Sequence, residues 1–329
     1  MEKLIPKALK AEATERLKAA RVNPKHLILL NTGVVVALGL LVSGVNFLLG
    51  HQIGSTGGLS GLGMRSVLQT IQSLLGTGAT LFTPFWAAGL LYCFALLLQN
   101  QEVRPVSMLQ GFRRVTKILS FSLLQLGAML LVVMPLTYLA SFLFLLTPVA
   151  TKFAAVLLPM LESGSILTAA GAVDLSLIPT ELMISVSVSM GLICLLVYTP
   201  AFLFLTYSFH MGPYLIVTDQ ARGGPSALMM SMQLVRGHRM ELFRLDLSYW
   251  WYYLLQAVGI VILYLDLLLP LLGITPGLDP TVFYFLTLIG YSGINLALDY
   301  WKKDQKLAAF VLAYERLAHP AEEEGLSSI

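Results

Sequence analysis

The five histidines are the residues whose side chains could most readily support hydrolysis or metal binding. They are scattered along the chain: His26, His51, His210, His238 and His319. None has an acidic residue at the spacing of a zinc or calcium motif. The sequence also contains no P-loop, no G-x-S-x-G turn and no pair of carboxylates arranged for acid–base work. We therefore expect no catalytic residue, no cofactor and no metal, and we predict that the protein is not an enzyme.

His210 is the candidate polar site within the apolar part of the chain. It lies in "YSFHMGPY", three residues before Pro213. A histidine at a broken membrane helix could bind a proton or a substrate. It could equally hydrogen-bond to a carbonyl group that the nearby proline leaves without its helical partner. The two cysteines, Cys93 and Cys194, lie in apolar stretches and are interpreted as buried packing thiols.

The elements that carry these residues are long apolar segments. Of the 329 residues, 57% are hydrophobic and only 12% are charged, against roughly 25% charged in ordinary soluble domains. Because about 20 apolar residues cross a bilayer core, the sequence predicts an all-α polytopic membrane protein with six transmembrane helices. The predicted spans are 27–49, 79–99, 118–147, 183–217, 247–272 and 281–301. They form a membrane domain over residues 27–317, between a basic cytoplasmic N-terminal helix (1–26) and an acidic flexible tail (318–329).

Basic residues alternate with the spans in a consistent way. Of the 21 Lys and Arg residues, all except Arg65 and Lys152 fall before the first span, after the sixth, or in the second and fourth connections. Cytoplasmic loops of membrane proteins carry the Lys and Arg excess. We therefore expect both termini to be cytoplasmic.

Two amphipathic segments, which we call the first elbow (residues 105–126) and the second elbow (residues 225–249), enter spans from this basic side. Pro105 and Pro225 each begin one of them, and apolar residues follow at helical spacings of three and four in both. The similarity predicts two parallel pseudo-repeats, about 79–147 and 183–272, related by an axis along the membrane normal. In the second elbow, Gly237 marks the place where a helix lying on the membrane turns into it.

The segment before the second span is predicted to contain two separate parts. Residues 50–63, "GHQIGSTGGLSGLG", are interpreted as a flexible outer loop. Residues 64–75, "MRSVLQTIQSLL", have one apolar face and are interpreted as a short helix lying on the outer membrane surface.

The basic side chains of the elbows are the candidate binding site for lipid or for a protein partner. Each is expected at the level of the cytoplasmic headgroups, where a basic residue attracts anionic lipid by roughly 1 kcal/mol. The alternative is that these residues only set the topology and pair with Glu102, Glu241 and Asp246. The candidate residues are Arg113, Arg114, Lys117, Arg236, Arg239 and Arg244.

Residues 231–255, "SMQLVRGHRMELFRLDLSYWWYYLL", resemble the signature of a bacterial integral membrane family called domain of unknown function 975. The matching positions are Ser231, Gly237, Arg239, Leu242, Phe243, Leu245, Leu247, Ser248, Trp250 and Trp251. The family is similar, more distantly, to the membrane domain attached to some glycerophosphodiester phosphodiesterases. The resemblance implies a multi-pass architecture in a bacterial plasma membrane, and it implies no activity.

Two functional hypotheses follow. The first is a non-enzymatic membrane protein that engages anionic lipid, or a membrane or cytoplasmic protein partner, through its basic elbows. The second is a transporter or channel with a substrate cavity between the two repeat halves. Neither hypothesis includes nucleic acid as a partner.

Overall fold

A computed structural model describes residues 4–20, 22–55, 61–162, 178–265, 268–269, 277 and 279–318 of the chain. All regular structure among these residues is helical. The helices are α1 (Pro6–Ala19), α2 (Pro24–Ser55), α3 (Gly61–Leu98), α4 (Gln110–Arg113), α5 (Val115–Leu145), α6 (Pro148–Glu162), α7 (Thr180–Phe209), α8 (Gly212–Val217), α9 (Gly224–Leu234), α10 (Arg239–Leu247), α11 (Trp250–Leu263), α12 (Pro280–Leu298) and α13 (Asp304–Ala318). A 3-10 helix (Pro105–Leu109) precedes α4, and a π-helical segment (Asp299–Lys303) joins α12 to α13.

Five helical runs within the described residues are long and apolar enough to cross a membrane. They are Pro24–Leu49, Val67–Leu98, Val115–Leu145, Thr180–Val217 and Val282–Ala318. The predicted fifth span, 247–272, contains α11, which is apolar but has only 14 residues. Several residues after Leu265 in that predicted span lie outside the described part of the chain. The acidic tail falls outside it as well, apart from Ala318, which ends α13.

The flexible loop predicted over residues 50–63 is wrong for the residues that the structure describes, which are helical, and the short helix predicted over residues 64–75 is helical but part of a longer helix. α2 continues to Ser55, and α3 runs without interruption from Gly61 to Leu98. Residues 56–60, the centre of the predicted loop, lie outside the described residues. A helix satisfies every backbone hydrogen bond within its own segment, so in an apolar environment it tends to continue past sequence signals that would end it in water. Pro84 lies inside α3 for the same reason.

Contacts divide the chain into two units, one made of residues Met1–Ser122 and His210–Ile329 and the other of residues Leu123–Phe209. The core of the first unit contains the second half of α3, all of α8 and most of α13. Within α13, every residue from Ala308 to Tyr314 is buried. The second part of the apolar run Val282–Ala318, which is α13, is therefore packed against other parts of the protein.

α1 covers α13 with a regular apolar face. Leu9, Ala13 and Leu17 recur every four residues and are buried, as expected for one side of an amphipathic helix. An ion pair adds to this contact: the Arg316 guanidinium lies 2.6 Å from the Glu12 carboxylate.

α1 also contacts the residue that follows α10. Lys10 donates a hydrogen bond to the carbonyl oxygen of Ser248 at 2.7 Å. Burial, together with the nearby Lys302, lowers the pKa of the Lys10 ammonium group.

The second unit consists of the larger part of α5 together with α6 and α7. Its helices expose large apolar side chains, among them Leu131 (77% exposed), Tyr138 (78%) and Leu196 (73%). Thr137 and Tyr198 join α5 to α7 through a side-chain hydrogen bond of 2.7 Å. Long helices that are apolar on every side and expose that surface are typical of contact with lipid rather than water.

Candidate functional site

The first elbow begins with a 3-10 helix that packs closely against α3. Pro105 occupies its first turn, where the missing N–H group is not needed. A Cβ atom at Gly89 would overlap the carbonyl oxygen of Met108, and one at Gly111 would overlap that of Phe85. The two glycines therefore allow the backbones of α3 and the elbow to approach directly, and this contact fixes which residues of the elbow point outward.

The outward face of the first elbow combines apolar and basic side chains. Val106 is 64% exposed and Leu109 is 46% exposed. Arg113 follows four residues after Leu109 and is exposed, and its side chain has no hydrogen bond or ion pair within the described residues. The spacing of three and four places the three side chains on one face. Such a face matches a membrane interface, where apolar groups enter the acyl region and a guanidinium reaches the headgroups.

The second elbow contains two helices joined at a glycine. Ser226 caps the start of α9, where its hydroxyl accepts a hydrogen bond from the Gly223 N–H at 2.9 Å. α9 ends at Leu234, and Gly237 adopts a φ of 95°, a left-handed conformation that favours glycine. α10 then begins at Arg239. The helical run is therefore interrupted at Gly237, between α9 and α10.

The second elbow also has exposed surfaces that carry both apolar and basic side chains. Met240 (59% exposed), Arg244 and Leu247 (54% exposed) lie four and three residues apart on α10. Met229 in α9 is exposed, and so is Arg236, which follows the end of that helix by two residues. Like that of Arg113, the side chains of Arg236 and Arg244 make no hydrogen bond or ion pair in the described part of the chain.

The remaining basic candidates are engaged within the protein. The Arg114 guanidinium donates to the carbonyl oxygen of Ile216 at 2.5 Å and pairs with Asp219. Lys117 lies 3.6 Å from the same Asp219 carboxylate. Arg239 is half-buried and has interactions of its own within the chain. The six sequence candidates therefore divide into three exposed arginines and three residues that hold parts of the first unit together.

The acidic residues expected to neutralise the elbows have specific other partners. Glu102 pairs with Arg104 at 3.2 Å. Glu241 accepts hydrogen bonds from the backbone N–H of Leu4 at 3.1 Å and from His238 at 2.7 Å. Asp246 lies 3.2 Å from Lys306.

A belt of exposed aromatic rings lies close to the basic groups in sequence and in space. Trp250, Trp251, Tyr300 and Trp301 are between 46% and 58% exposed. The Lys302 ammonium lies 5.3 Å from the ring centre of Trp301, and that of Lys25 lies 4.8 Å from Tyr300. Tryptophan and tyrosine concentrate where acyl chains meet headgroups, so this belt marks the level of a membrane surface.

His210 is half-buried and follows α7 in the chain, two residues before α8 begins. Its Nδ1 forms a hydrogen bond with the hydroxyl of Tyr314, and its ring centre lies 5.0 Å from that of Phe310. Both partners belong to the buried stretch of α13. This geometry gives His210 a packing contact with α13 and a side-chain partner that the sequence did not indicate.

A polar cluster around Asp299 was not predicted from the sequence. Asp299 is buried in the π-helical segment and accepts hydrogen bonds from Thr32 at 2.7 Å, Tyr252 at 2.6 Å and Lys303 at 2.5 Å. The cluster joins α2 and α11 to the π-helical segment before α13, and it satisfies a carboxylate that would otherwise be costly to bury. Only Lys303, four residues along the same helical run, was a partner visible in the sequence.

A groove between α2 and α3 was also missed. Its volume is about 410 Å³, and Thr83 is the polar member of its lining. The lining residues are Val35, Leu38, Gly39, Ala79, Phe82, Thr83 and Pro84. Among the described residues, no group of three or more His, Cys, Asp or Glu side chains is arranged to hold a metal ion.

Long apolar helices, exposed apolar side chains and an aromatic belt define a multi-pass helical membrane protein. A family model described as "Protein of unknown function (DUF975)" matches residues 6–291, and the chain belongs to this family. The family resemblance carried by residues 231–255 is thus confirmed. No curated protein and no solved structure matches the chain.

Proposed function

We propose that this protein is a non-enzymatic, multi-pass protein of the bacterial plasma membrane that binds anionic lipid through three arginines of its elbows: Arg113, Arg236 and Arg244. The observation that carries the proposal is the exposed face on which an arginine stands between apolar side chains, as Arg244 does between Met240 and Leu247. Such a face is poorly suited to water and well suited to a lipid interface.

Electrostatics supports a preference for anionic headgroups. A basic residue near an anionic surface contributes roughly 1 kcal/mol of attraction. A guanidinium can donate two parallel hydrogen bonds to a phosphate, which adds geometric selectivity. Because Arg114, Lys117 and Arg239 interact within the chain, we assign them to folding instead of lipid binding.

The proposal includes an orientation. The segregation of basic residues favours cytoplasmic termini and six crossings, with the fifth beginning at α11. The elbows then lie on the cytoplasmic surface, where anionic lipids are most abundant. The two parallel pseudo-repeats, 79–147 and 183–272, belong to the same proposal, since both elbows pair an outward apolar face with an exposed arginine.

Lipid retention in mild detergent tests the function. We expect the triple variant Arg113→Gln, Arg236→Gln and Arg244→Gln to retain at least fivefold less phosphatidylglycerol or cardiolipin than the wild type, because three attractive contacts are lost. The matched control is Lys7→Gln, Lys18→Gln and Lys152→Gln, which removes the same charge from exposed residues outside the elbows. Equal lipid retention by the triple variant and the wild type would contradict the proposal. The elbow arginines would then only set the membrane topology.

A further inference from the structure

The groove between α2 and α3 opens beside the first elbow. Phe82 lines the groove, and its ring lies 5.7 Å from that of Trp86 and 5.3 Å from that of Phe112 in α4. Phe112 also contacts Phe85, at 5.7 Å. These rings form a continuous aromatic wall from the groove to the residue that immediately precedes Arg113.

The groove is apolar and open because a side chain is missing from one wall. Gly39 lies in the lining, and a Cβ atom built on it would meet no heavy atom within 4 Å. On the facing helix, Ala79 is also small. Two small residues on neighbouring helices leave an open groove at this place instead of a closed helix–helix contact.

The position of the groove relative to the membrane surface follows from the same elements. α2 reaches the level of the Asp299 cluster at Thr32, and Asn31 accepts a hydrogen bond from the Trp86 indole at 3.3 Å. Val35 lies about one helical turn further along α2, away from the aromatic belt. The groove therefore begins just below the headgroup level, on the acyl side.

We propose that this groove holds one acyl chain of an anionic glycerophospholipid whose phosphate binds to Arg113. The inference rests on the proposed function and adds a specific site to it. Arg113 supplies the charge complementary to the headgroup, and the groove supplies an apolar surface for the chain at the adjacent depth. A lipid bound at both ends is held more firmly than lipids that only touch the protein surface, since the two contacts act within one molecule.

The test uses Trp86 as a reporter within the aromatic wall. Trp250→Phe, Trp251→Phe and Trp301→Phe leave Trp86 as the single tryptophan of the chain. The protein is placed in phosphatidylcholine nanodiscs with a small, increasing fraction of phosphatidylglycerol brominated on its acyl chain, because bromine quenches indole fluorescence at short range and Trp86 stacks on the lining residue Phe82. We expect Trp86 to be quenched at fractions too low for random encounter, and not by equally brominated phosphatidylcholine.

Variants separate the groove from the headgroup contact. Gly39→Leu should abolish the selective quenching by filling the groove, whereas Gly44→Leu, an equally uncrowded position on α2 outside the lining, should preserve it. Arg113→Gln should raise the lipid fraction needed for half-quenching about fivefold. Ala79→Leu fills the groove from α3 and gives a second measurement if Gly39→Leu does not fold.

The outcomes distinguish this inference from the proposed function. Unchanged quenching in both groove variants, or equal quenching by brominated phosphatidylcholine, would overturn the acyl site even if the arginine variants reduce lipid retention. Selective quenching that disappears in Gly39→Leu and persists in Gly44→Leu supports it. If the arginine triple variant retains lipid normally while the groove variants lose quenching, the acyl-chain site in the groove is supported, and both the Arg113–phosphate contact and the proposed role of the elbow arginines are refuted.

Discussion

Arg113 and Arg114 are neighbours in sequence, yet their surroundings in the fold are opposite. A helix turns by about 100° per residue, so adjacent side chains point in different directions. Arg114 turns toward α8 and donates a hydrogen bond to the Ile216 carbonyl oxygen, while Arg113 faces outward. Residue type alone therefore does not separate a structural arginine from one available to a ligand.

This difference predicts unequal effects on stability. Arg114→Gln should lower the free energy of unfolding by about 1.5–3 kcal/mol, because hydrogen bonds to a charged donor are lost and the Ile216 carbonyl oxygen is left unsatisfied. Arg113→Gln should leave stability nearly unchanged. Thermal unfolding midpoints of both variants in the same detergent provide the measurement, and equal midpoints would contradict the assignment of Arg114 to folding.

At the scale of elements, α1 and α13 show how an exterior helix becomes part of a core. α1 has charged residues on one side and the Leu9, Ala13 and Leu17 face on the other. Its partner α13 is also amphipathic, with its apolar positions buried and its acidic and basic residues turned toward α1 and α10. The packing of these two helices, more than their own helical propensity, stabilises them.

Shortening one side chain in this contact should be costly. Leu9 is fully buried, so Leu9→Ala should destabilise the packed end by about 3 kcal/mol through lost apolar contact and the cavity left behind. Lys7→Ala, on the exposed side of the same helix, is the control. Hydrogen–deuterium exchange should show faster exchange over α1 in Leu9→Ala alone, and unchanged protection there would refute the role given to this face.

The sequence predicted some of these elements better than others. Apolar length predicted the regions of α2, α5 and α7 because a membrane span is defined by a property that one segment carries by itself. It did not predict that α3 is continuous, or that α13 leaves the apolar run to join a core. Those outcomes depend on partners distant in sequence. For the candidate site, the sequence indicated two segments with helical spacing and their basic residues, but not which of the arginines are exposed.

At the scale of the whole molecule, topology is the property with the clearest test. We expect Ser60→Cys and Ser165→Cys to react with a membrane-impermeant thiol reagent added to intact cells, and Gln101→Cys and Gln220→Cys to react only after lysis. The reason is the segregation of basic residues to one side.

The natural thiols, Cys93 and Cys194, should be replaced first so that they do not contribute signal. The cysteine-free protein is the background control. Labelling of Gln101→Cys in intact cells would reverse the proposed orientation.

The ion pair between Glu12 and Arg316 joins residues 304 positions apart. A ribosome therefore releases the first half of this contact long before it makes the second. During that interval, the Leu9, Ala13 and Leu17 face of α1 has no α13 to cover it. Synthesis of α13 is the step that completes this contact, so a chain terminated before Asp304 would retain its first four candidate spans and lack the helix that α1 covers.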